Sequence, residues 1–288
     1  MVTRGLVLLC AVLALVPGAS KGQGAQPNAS PKAAPGVSLT PPPPLVPVDP
    51  TLSDYLRVVS VRILQQTGGG NMAPIEYGLT PNCDKPISAW GLRFTAHYSD
   101  GSSAVTSASD DELDGTYMAS LPGHKVVRVA PWGGHLVKGE VRPGRNWVRG
   151  NSGVGSLVSV DGQVTAVVFL DRTARGDSSV IQQIAAARKA EGDERAAFLG
   201  NLRAALKDSG VREALAQRST GTEERFRAAY LAQPQPPNDP GKSLHRAAEL
   251  DNFARALGRD QALFDFLLKD REMLQAMWSE HSALKEEK

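Results

Sequence analysis

The clearest hydrophobic pattern in the chain lies over residues 90–98. Apolar side chains alternate there with polar ones, and the apolar set is Trp90, Leu92, Phe94, Ala96 and Tyr98. A period of two is typical of a β-strand with one buried face, so this segment is predicted to be a strand in a hydrophobic core. Asp100 and Gly101 follow. Both tolerate a positive φ, so the strand is predicted to end in a turn.

Short alternating runs separated by turn signals continue over residues 51–174. Further strands are predicted at residues 59–63, 117–121, 125–129 and 136–141. Residues 142–145 are predicted to form a turn, and residues 107–115 form a polar, acidic segment. Residues 156–160 and 163–170 are predicted to form a hairpin across Asp161 and Gly162. About seven short strands favour an antiparallel β-sandwich of the immunoglobulin (Ig) type.

From residue 177 onward the apolar residues recur every three or four positions, as they do in helices. A helical region is predicted over residues 177–288, with a proline-rich break at residues 233–242. Asp177 or Ser178 is predicted to cap the first helix, and Asp193 to open a second one. The expected fold class is therefore α+β, an N-terminal Ig-like sandwich followed by an α-helical region.

The later helices have weaker boundary signals. A short helix is predicted at residues 211–217, and the next is predicted to start at a capping box formed by Thr220 and Glu223. The last two helices are predicted to be divided near Gly258. The final helix carries a broad apolar stripe of Leu263, Phe264, Phe266, Leu267, Met273, Leu274, Met277 and Trp278. Such a stripe requires a partner, either the chain's own helices and sheets or another protein.

The first fifty residues predict export. Residues 6–16 form an apolar run that small residues follow, so residues 1–20 are predicted to be a signal peptide, since the run is too short to span a membrane. Residues 21–50 contain nine of the twenty prolines and few apolar residues. This segment is predicted to be a disordered linker. Cleavage leaves one cysteine, Cys83, so the fold is expected to form without an internal disulfide.

Charge excludes little and favours no particular partner. The 288 residues contain 32 lysines and arginines and 30 aspartates and glutamates, a formal net charge of +2. This balance provides no overall positive field, so neither nucleic acid nor an anionic membrane is required as a partner. Another protein or a component of the cell envelope is the expected partner, and no cofactor is predicted.

Several short motifs together resemble a known layout. They occur at residues 85–90, 99–102, 142–144, 164–171 and 175–177. Over residues 58–187 the chain resembles uncharacterised secreted bacterial proteins that contain an Ig-like domain. The resemblance implies an Ig-like fold and export, and it implies no activity.

One segment points to catalysis. Residues 150–153, Gly-Asn-Ser-Gly, precede a predicted strand and resemble the serine segment of trypsin-like proteases. The resemblance implies Ser152 as nucleophile and His97 as general base, with Asp111 or Asp114 as the third member. Against it, Val154 and Gly155 stand where that family has Gly-Pro, and His97 and Ser152 are about half as far apart in sequence as its double barrel requires.

Two other clusters carry possible chemistry. Asp110, Asp111, Glu112 and Asp114 could hold calcium, but EF-hand spacing is missing, and His97, His124 and His135 lack paired zinc spacing. No metal site is therefore predicted. Arg175-Gly176-Asp177 resembles the adhesion tripeptide that integrins recognise, although Asp177 is also a predicted helix cap. Trp132 and Trp147 are expected as loop aromatics that contact a ligand or close the end of the sandwich.

These observations favour an exported, non-catalytic binding or envelope-associated module, periplasmic or extracellular, with no membrane span after signal cleavage. No catalytic residue is assigned, and the binding residues are left unassigned. A serine hydrolase acting through Ser152 is the alternative enzyme, and helix-mediated assembly is the alternative structural role.

Overall fold

A computed structural model describes residues 49–64, 71–120, 135–235 and 240–287. The predicted signal peptide at 1–20, nearly all of the proline-rich segment at 21–50 and the predicted strand at 125–129 lie outside these ranges. The described residues belong to one compact unit. Its fold is mixed α+β, with two β-sheets and six α-helices in the described ranges.

The described strands form a three-stranded and a five-stranded sheet. After a 3₁₀ helix at Pro50–Asp54, the strands are β1 (Leu56–Ile63), β2 (Met72–Pro81), β3 (Ile87–Tyr98), β4 (Ser103–Asp111), β5 (Arg142–Arg149), β6 (Leu157–Phe169), β7 (Thr173–Gly176) and β8 (Lys285–Glu286). The strand orders are β1-β2-β5 and β4-β3-β6-β7-β8. Neighbouring strands are antiparallel except β7 and β8, which are parallel.

The helices are α1 (Leu113–Ser120), α2 (Ser178–Lys207), α3 (Ser209–Ala216), α4 (Thr222–Leu231), α5 (Pro240–Arg259) and α6 (Gln261–His281). The predicted cap at Asp177 is confirmed, because its carboxylate accepts a hydrogen bond from the Ser179 amide at 2.9 Å. The division that was predicted near Gly258 is confirmed, because α5 ends at Arg259 and Asp260 caps α6. None of the helices in the described ranges combines the length and the apolar character needed to cross a membrane.

The strand predicted from residues 90–98 is confirmed as β3, which pairs with β4 on one side and β6 on the other. Its five alternating apolar side chains are buried in a core that both sheets share. Tyr77 of β2 and Phe94 of β3 meet in this core, with ring centroids 5.2 Å apart. The two sheets therefore pack face to face.

The five-stranded sheet is also covered on its other face. Ile181 and Ile184 of α2 pack there against Ala89, Ala166 and Val168, and all five side chains are buried. A separate helical core around Phe198, Phe226, Phe253 and Phe264 joins α2, α4, α5 and α6. The helices are thus anchored to the sheet through α2.

The predicted hairpin across Asp161 and Gly162 is wrong, because β6 is one continuous strand of 13 residues. Asp161 and Gly162 pair with Thr95 and Phe94 of β3. A Cβ atom on Gly162 would lie 3.0 Å from methyl carbons of both Val58 and Val61. Glycine is therefore needed here so that β1 can approach closely. The sequence Asp-Gly is the same whether the glycine allows such an approach or forms a turn, so the pattern alone does not separate the two.

The predicted turn at residues 142–145 is also wrong, because these residues begin strand β5. Pro143 is tolerated because β5 is an edge strand of its sheet. Gly144 allows the ring of Tyr77 to approach the strand closely, since a Cβ atom there would be 2.2 Å from a ring carbon. Pro143 is thus compatible with an edge strand and Gly144 makes room for Tyr77, and neither residue forms a turn.

Two further local predictions are wrong. The strand predicted at 117–121 is replaced by helix α1, and the strand predicted at 136–141 reduces to one bridge between Leu136 and Ile87 followed by a turn, where Gly139 has a φ of 84°. The polar segment at 107–115 contains the end of β4, an edge strand of small and polar residues. Weak apolar contrast made these segments hard to assign.

Two of the predicted helix starts are wrong. Asp193 does not open a new helix, because α2 runs through it, and the buried Gly192 lets α6 approach so closely that a Cβ atom there would be 3.1 Å from the Ser279 hydroxyl. The capping box at Thr220 is also wrong. Helix α4 begins at Thr222 behind Gly221, without a side-chain cap.

Candidate functional site

Ser152 and His97, the nucleophile and base of the protease prediction, lie at one end of the five-stranded sheet without forming a catalytic pair. The Ser152 hydroxyl donates to Asp100 Oδ2 at 2.5 Å and accepts from the Gly155 amide at 2.8 Å. His97 Nε2 lies 2.9 Å from Asp161 Oδ2, across the strand pair. Among the described residues, no hydrogen bond joins Ser152 to His97.

The environment of Ser152 is also unsuited to activating a nucleophile. Hydrogen bonds from Ser102 first, and then from Ser152, lower the pKa of Asp100 to about 2. A carboxylate with so low a pKa is a weak base near neutral pH, so it would not take the hydroxyl proton. Asp111 lies at the opposite end of β4, pairing with Ala89, whereas His97 pairs with Ser103.

The acidic residues 110–114 do not form one cluster. Successive strand residues point to opposite faces, so Asp110 accepts from the Tyr77 hydroxyl at 2.9 Å while Asp111 is bound by Arg188 of α2. Asp114, in the first turn of α1, binds Arg195 and Trp278. In the described part of the chain no three His, Cys, Asp or Glu side chains are grouped so that they could hold a metal ion.

The tripeptide Arg175-Gly176-Asp177 has a structural task at each position. Arg175 Nε binds Glu287 of the C-terminal segment at 2.9 Å, and Gly176 has a φ of 112°, in the region that favours glycine. Asp177 caps α2. None of the three presents the exposed loop tip that an adhesion motif would need.

The remaining singled-out residues have separate positions. Cys83 is a free, half-buried thiol whose Sγ lies 3.3 Å from the Lys85 carbonyl oxygen. His135 is half-buried, and burial lowers its pKa. Trp132 lies outside the described residues. Trp147 was expected in a loop, but it lies in β5 with 55 % of its surface exposed.

The apolar stripe of α6 packs on the chain only in part. Phe264, Leu274 and Trp278 are buried, the last two against α1. Leu263 and Phe266 remain 46 % and 66 % exposed. Of the buried stripe residues, Trp278 also forms part of the wall of a feature between the helices.

This feature is a cavity of about 400 Å³ between the end of β4 and helices α1, α2, α5 and α6. Five carboxylates line it: Asp111, Asp114, Glu191, Glu194 and Glu249. Three guanidinium groups face them: Arg195, Arg246 and Arg271. The apolar part of the wall comes from Phe198, Leu199 and Trp278. Its volume is in the range of pockets that hold small organic ligands.

Trp278 is held rigidly at this cavity. Its indole Nε1 donates to Asp114 Oδ1 at 2.7 Å, and only 8 % of the residue is exposed. The guanidinium of Arg195 lies 5.7 Å from the centre of the indole ring and binds Asp114 at 2.9 Å and Glu191 at 2.9 Å. The indole ring of Trp278 and the charged groups of Asp114 and Arg195 therefore hold one another in position.

The other lining charges are paired across helices. Arg246 of α5 binds Glu194 of α2 at 3.2 Å. Arg271 of α6 binds both Glu249 of α5 and its neighbour Asp270, the latter at 3.2 Å. Because α2 and α5 each supply groups of both signs and α6 supplies Arg271, the cavity has a preformed polar wall, a condition for specific ligand binding.

Behind the cavity lies Arg188, a fully buried arginine of α2. Its guanidinium donates to Asp111 at 2.6 and 3.2 Å, to Ser88 Oγ at 3.1 Å and to the His281 carbonyl oxygen at 3.2 Å. The side chain is 0 % exposed. Arg188 therefore joins β3, β4, α2 and the end of α6 at one point, and it fixes the carboxylate of Asp111 at the cavity wall.

We expect acid to destabilise the fold in part through His281. Burial first, and then the charge of Arg188, lowers the pKa of its imidazole below the ordinary 6.5; Arg172 acts in the same direction, and Glu280 and Asp111 oppose it. The unfolded chain then binds this proton at a higher pH than the folded chain, so stability falls as the pH drops below about 6.5.

His281→Gln should therefore lose less free energy of unfolding than wild type between about pH 7.5 and 5.5, measured by urea denaturation at both values. In that window the carboxylates of Asp177 and Glu287, whose pKa values are lowered, stay ionised. Equal losses in the two proteins would show that His281 does not contribute.

Compared with known protein families, curated proteins and solved structures, the chain has no match.

Proposed function

We propose that this chain is an exported, non-catalytic binding protein of the cell envelope whose ligand site is the cavity beside Trp278. Two mainly antiparallel sheets around one core support an Ig-like sandwich as its framework. Export rests on the predicted signal at residues 1–20. A binding role is favoured over hydrolysis because Ser152 and His97 each have a different partner.

The single observation that carries this proposal is the charge balance of the cavity wall. Five carboxylates and three guanidiniums line it, and Arg188 binds Asp111 from behind, so five negative charges meet four positive ones and the wall is net negative by one charge. Trp278 adds an aromatic surface, which attracts a cation placed over its face. The ligand is therefore a small molecule or a peptide side chain with a positively charged amine or guanidinium group. The Arg-Glu pairs hold the carboxylates in place for it.

Titration calorimetry with agmatine, cadaverine and lysine amide as cationic probes tests this role, with succinate as the anionic counterpart. We expect at least one cation to bind and succinate not to bind, because the wall repels a dianion. Trp278→Phe should lower the affinity for the cation by about tenfold, since it removes the hydrogen bond from the indole N–H to Asp114 and part of the aromatic surface.

Trp147→Phe is the matched control, because this tryptophan is exposed on strand β5 and does not line the cavity. It should bind the cation as wild type does. The proposal fails if none of the three cations binds, if succinate binds as well as they do, or if both tryptophan variants lose affinity equally.

A further inference from the structure

The outer face of the β1-β2-β5 sheet is unusually rich in arginine. Strand alternation and the register across β2 place on it Arg57, Arg62, Arg145, Arg149 and Trp147. We call these five residues the arginine face. The side chains of Arg62 and Arg145 are 69 % and 68 % exposed, and Trp147 is 55 % exposed.

This face carries a strong local charge in a chain that is nearly neutral overall. Glu76 is the one acidic residue among its described strand positions, and it lies between Arg62 at 2.7 Å and Arg145 at 3.7 Å. The face thus carries four positive charges and one negative charge, although the formal net charge of all 288 residues is only +2. Charge complementarity therefore calls for an anionic partner.

The arrangement along β5 specifies more than charge. Arg145, Trp147 and Arg149 are alternate residues of one strand, so neighbouring side chains on this face stand about 7 Å apart. The guanidinium forks can bind carboxylates through two parallel hydrogen bonds. The indole between them offers a flat apolar surface of the kind that packs against the C–H face of a sugar ring.

We propose that the arginine face binds an acidic polysaccharide, a polymer whose sugar rings carry carboxylates. A linear polymer fits an open sheet face bounded by the edge strand β5, along which the Arg-Trp-Arg row runs. The predicted export favours a polysaccharide over nucleic acid, which would offer similar charge and stacking. The lining of the cavity includes no residue of β1, β2 or β5, so the two sites are independent.

Biolayer interferometry with immobilised polygalacturonate, and with dextran as the neutral polymer, tests the proposal on the full chain. Wild type should bind polygalacturonate and not dextran, and more weakly when salt rises from about 50 to 200 mM. Arg145→Gln/Arg149→Gln should weaken binding by about tenfold, as expected for two lost exposed ion pairs. Trp147→Ala should weaken it to a similar degree, because it removes the stacking surface.

Two matched variants distinguish this face from general effects. Arg212→Gln/Arg255→Gln makes the same change in net charge at exposed helical positions, and it should bind as wild type does. Arg145→Lys/Arg149→Lys keeps the charge without the fork, and it should bind between the wild type and the glutamine variant. All variants should unfold at the wild-type temperature, since the changed side chains are exposed.

If the Arg212/Arg255 variant lost as much binding as the Arg145/Arg149 variant, the loss would be explained by net charge alone, and the proposal would be overturned. Tighter binding to single-stranded DNA of similar charge than to polygalacturonate would reassign the face to nucleic acid. Equal binding to dextran would also overturn it. None of these outcomes bears on the cavity, because the arginine face and the cavity share no residue, and the wild type should bind the cationic probes in every case.

Discussion

Replacing Arg188 by alanine is expected to lower the free energy of unfolding by about 3–5 kcal/mol. The side chain is fully buried and makes four hydrogen bonds to three partners, Asp111, Ser88 and the His281 carbonyl. Its removal leaves the Asp111 carboxylate without its cation and the buried Ser88 hydroxyl without a partner at that end. Urea denaturation of wild type and variant at pH 7 measures the difference.

Lys189→Ala is the matched control, because it changes the adjacent residue of the same helix. Lys189 pairs with Asp193 at 2.5 Å, but the two side chains are 69 % and 67 % exposed. An exposed pair contributes about 1 kcal/mol or less, so this variant should remain close to wild type. Similar losses in the two variants would show that Arg188 acts only through helix α2 itself.

The position of Arg188 also connects stability with the proposed site. It binds Asp111, which lines the cavity, and it holds the end of α6, the helix that supplies Trp278. A rigid wall is useful for binding because less conformational entropy is lost when the ligand is held. The least exposed charged side chain in the described fold is thus located where a preformed wall is needed.

Strong local patterns predicted the elements that bury the most apolar surface. The alternation from Trp90 to Tyr98 predicted β3. At Asp177 the spacing of apolar residues changes from two to three or four positions, and this change predicted the start of α2 and its cap. In both cases the neighbours that matter are close in sequence. A buried strand face or a helix cap is recorded in the residues themselves, so no knowledge of tertiary contacts is needed.

Glycines account for several wrong predictions. Gly162 and Gly144 lie in segments predicted to be turns, and Gly192 directly precedes the Asp193 that was predicted to open a helix, yet all three lie inside regular elements. Each allows another element to approach, namely β1, the ring of Tyr77 and α6. Sequence alone shows that glycine tolerates unusual backbone angles, but it does not show which distant group needs the missing Cβ space.

The candidate site was only half visible in the sequence for a related reason. Asp111 and Asp114 were noted as acidic residues with possible chemistry, but their partners Arg188 and Arg195 are 77 and 81 residues away. The packing of α2 on the five-stranded sheet brings them together. Nothing in the local spacing of either segment records this pairing, so the cavity could not be predicted without the fold.

Replacing Gly176 by alanine is expected to destabilise the fold by about 3–5 kcal/mol, because backbone strain and a steric clash add. Its φ of 112° is rarely adopted by L-residues, and a Cβ atom there would lie 2.4 Å from the Thr165 carbonyl oxygen and 2.9 Å from the Ala166 Cα. Both atoms belong to the backbone of β6, which pairs with β7 and cannot move away cheaply. Urea denaturation measures the loss.

Gly200→Ala supplies a control of opposite sign. Gly200 lies inside α2, and a Cβ atom there would meet no atom within 4 Å. Alanine at such a helical position should stabilise the protein by about 0.5–1 kcal/mol, because it restricts the unfolded chain. If Gly176→Ala were as stable as wild type while Gly200→Ala behaved as expected, the junction between β7 and α2 would have to be more compliant than its paired backbone implies. The tripeptide at residues 175–177 would then be free to serve a purpose other than joining the sheet to the helices.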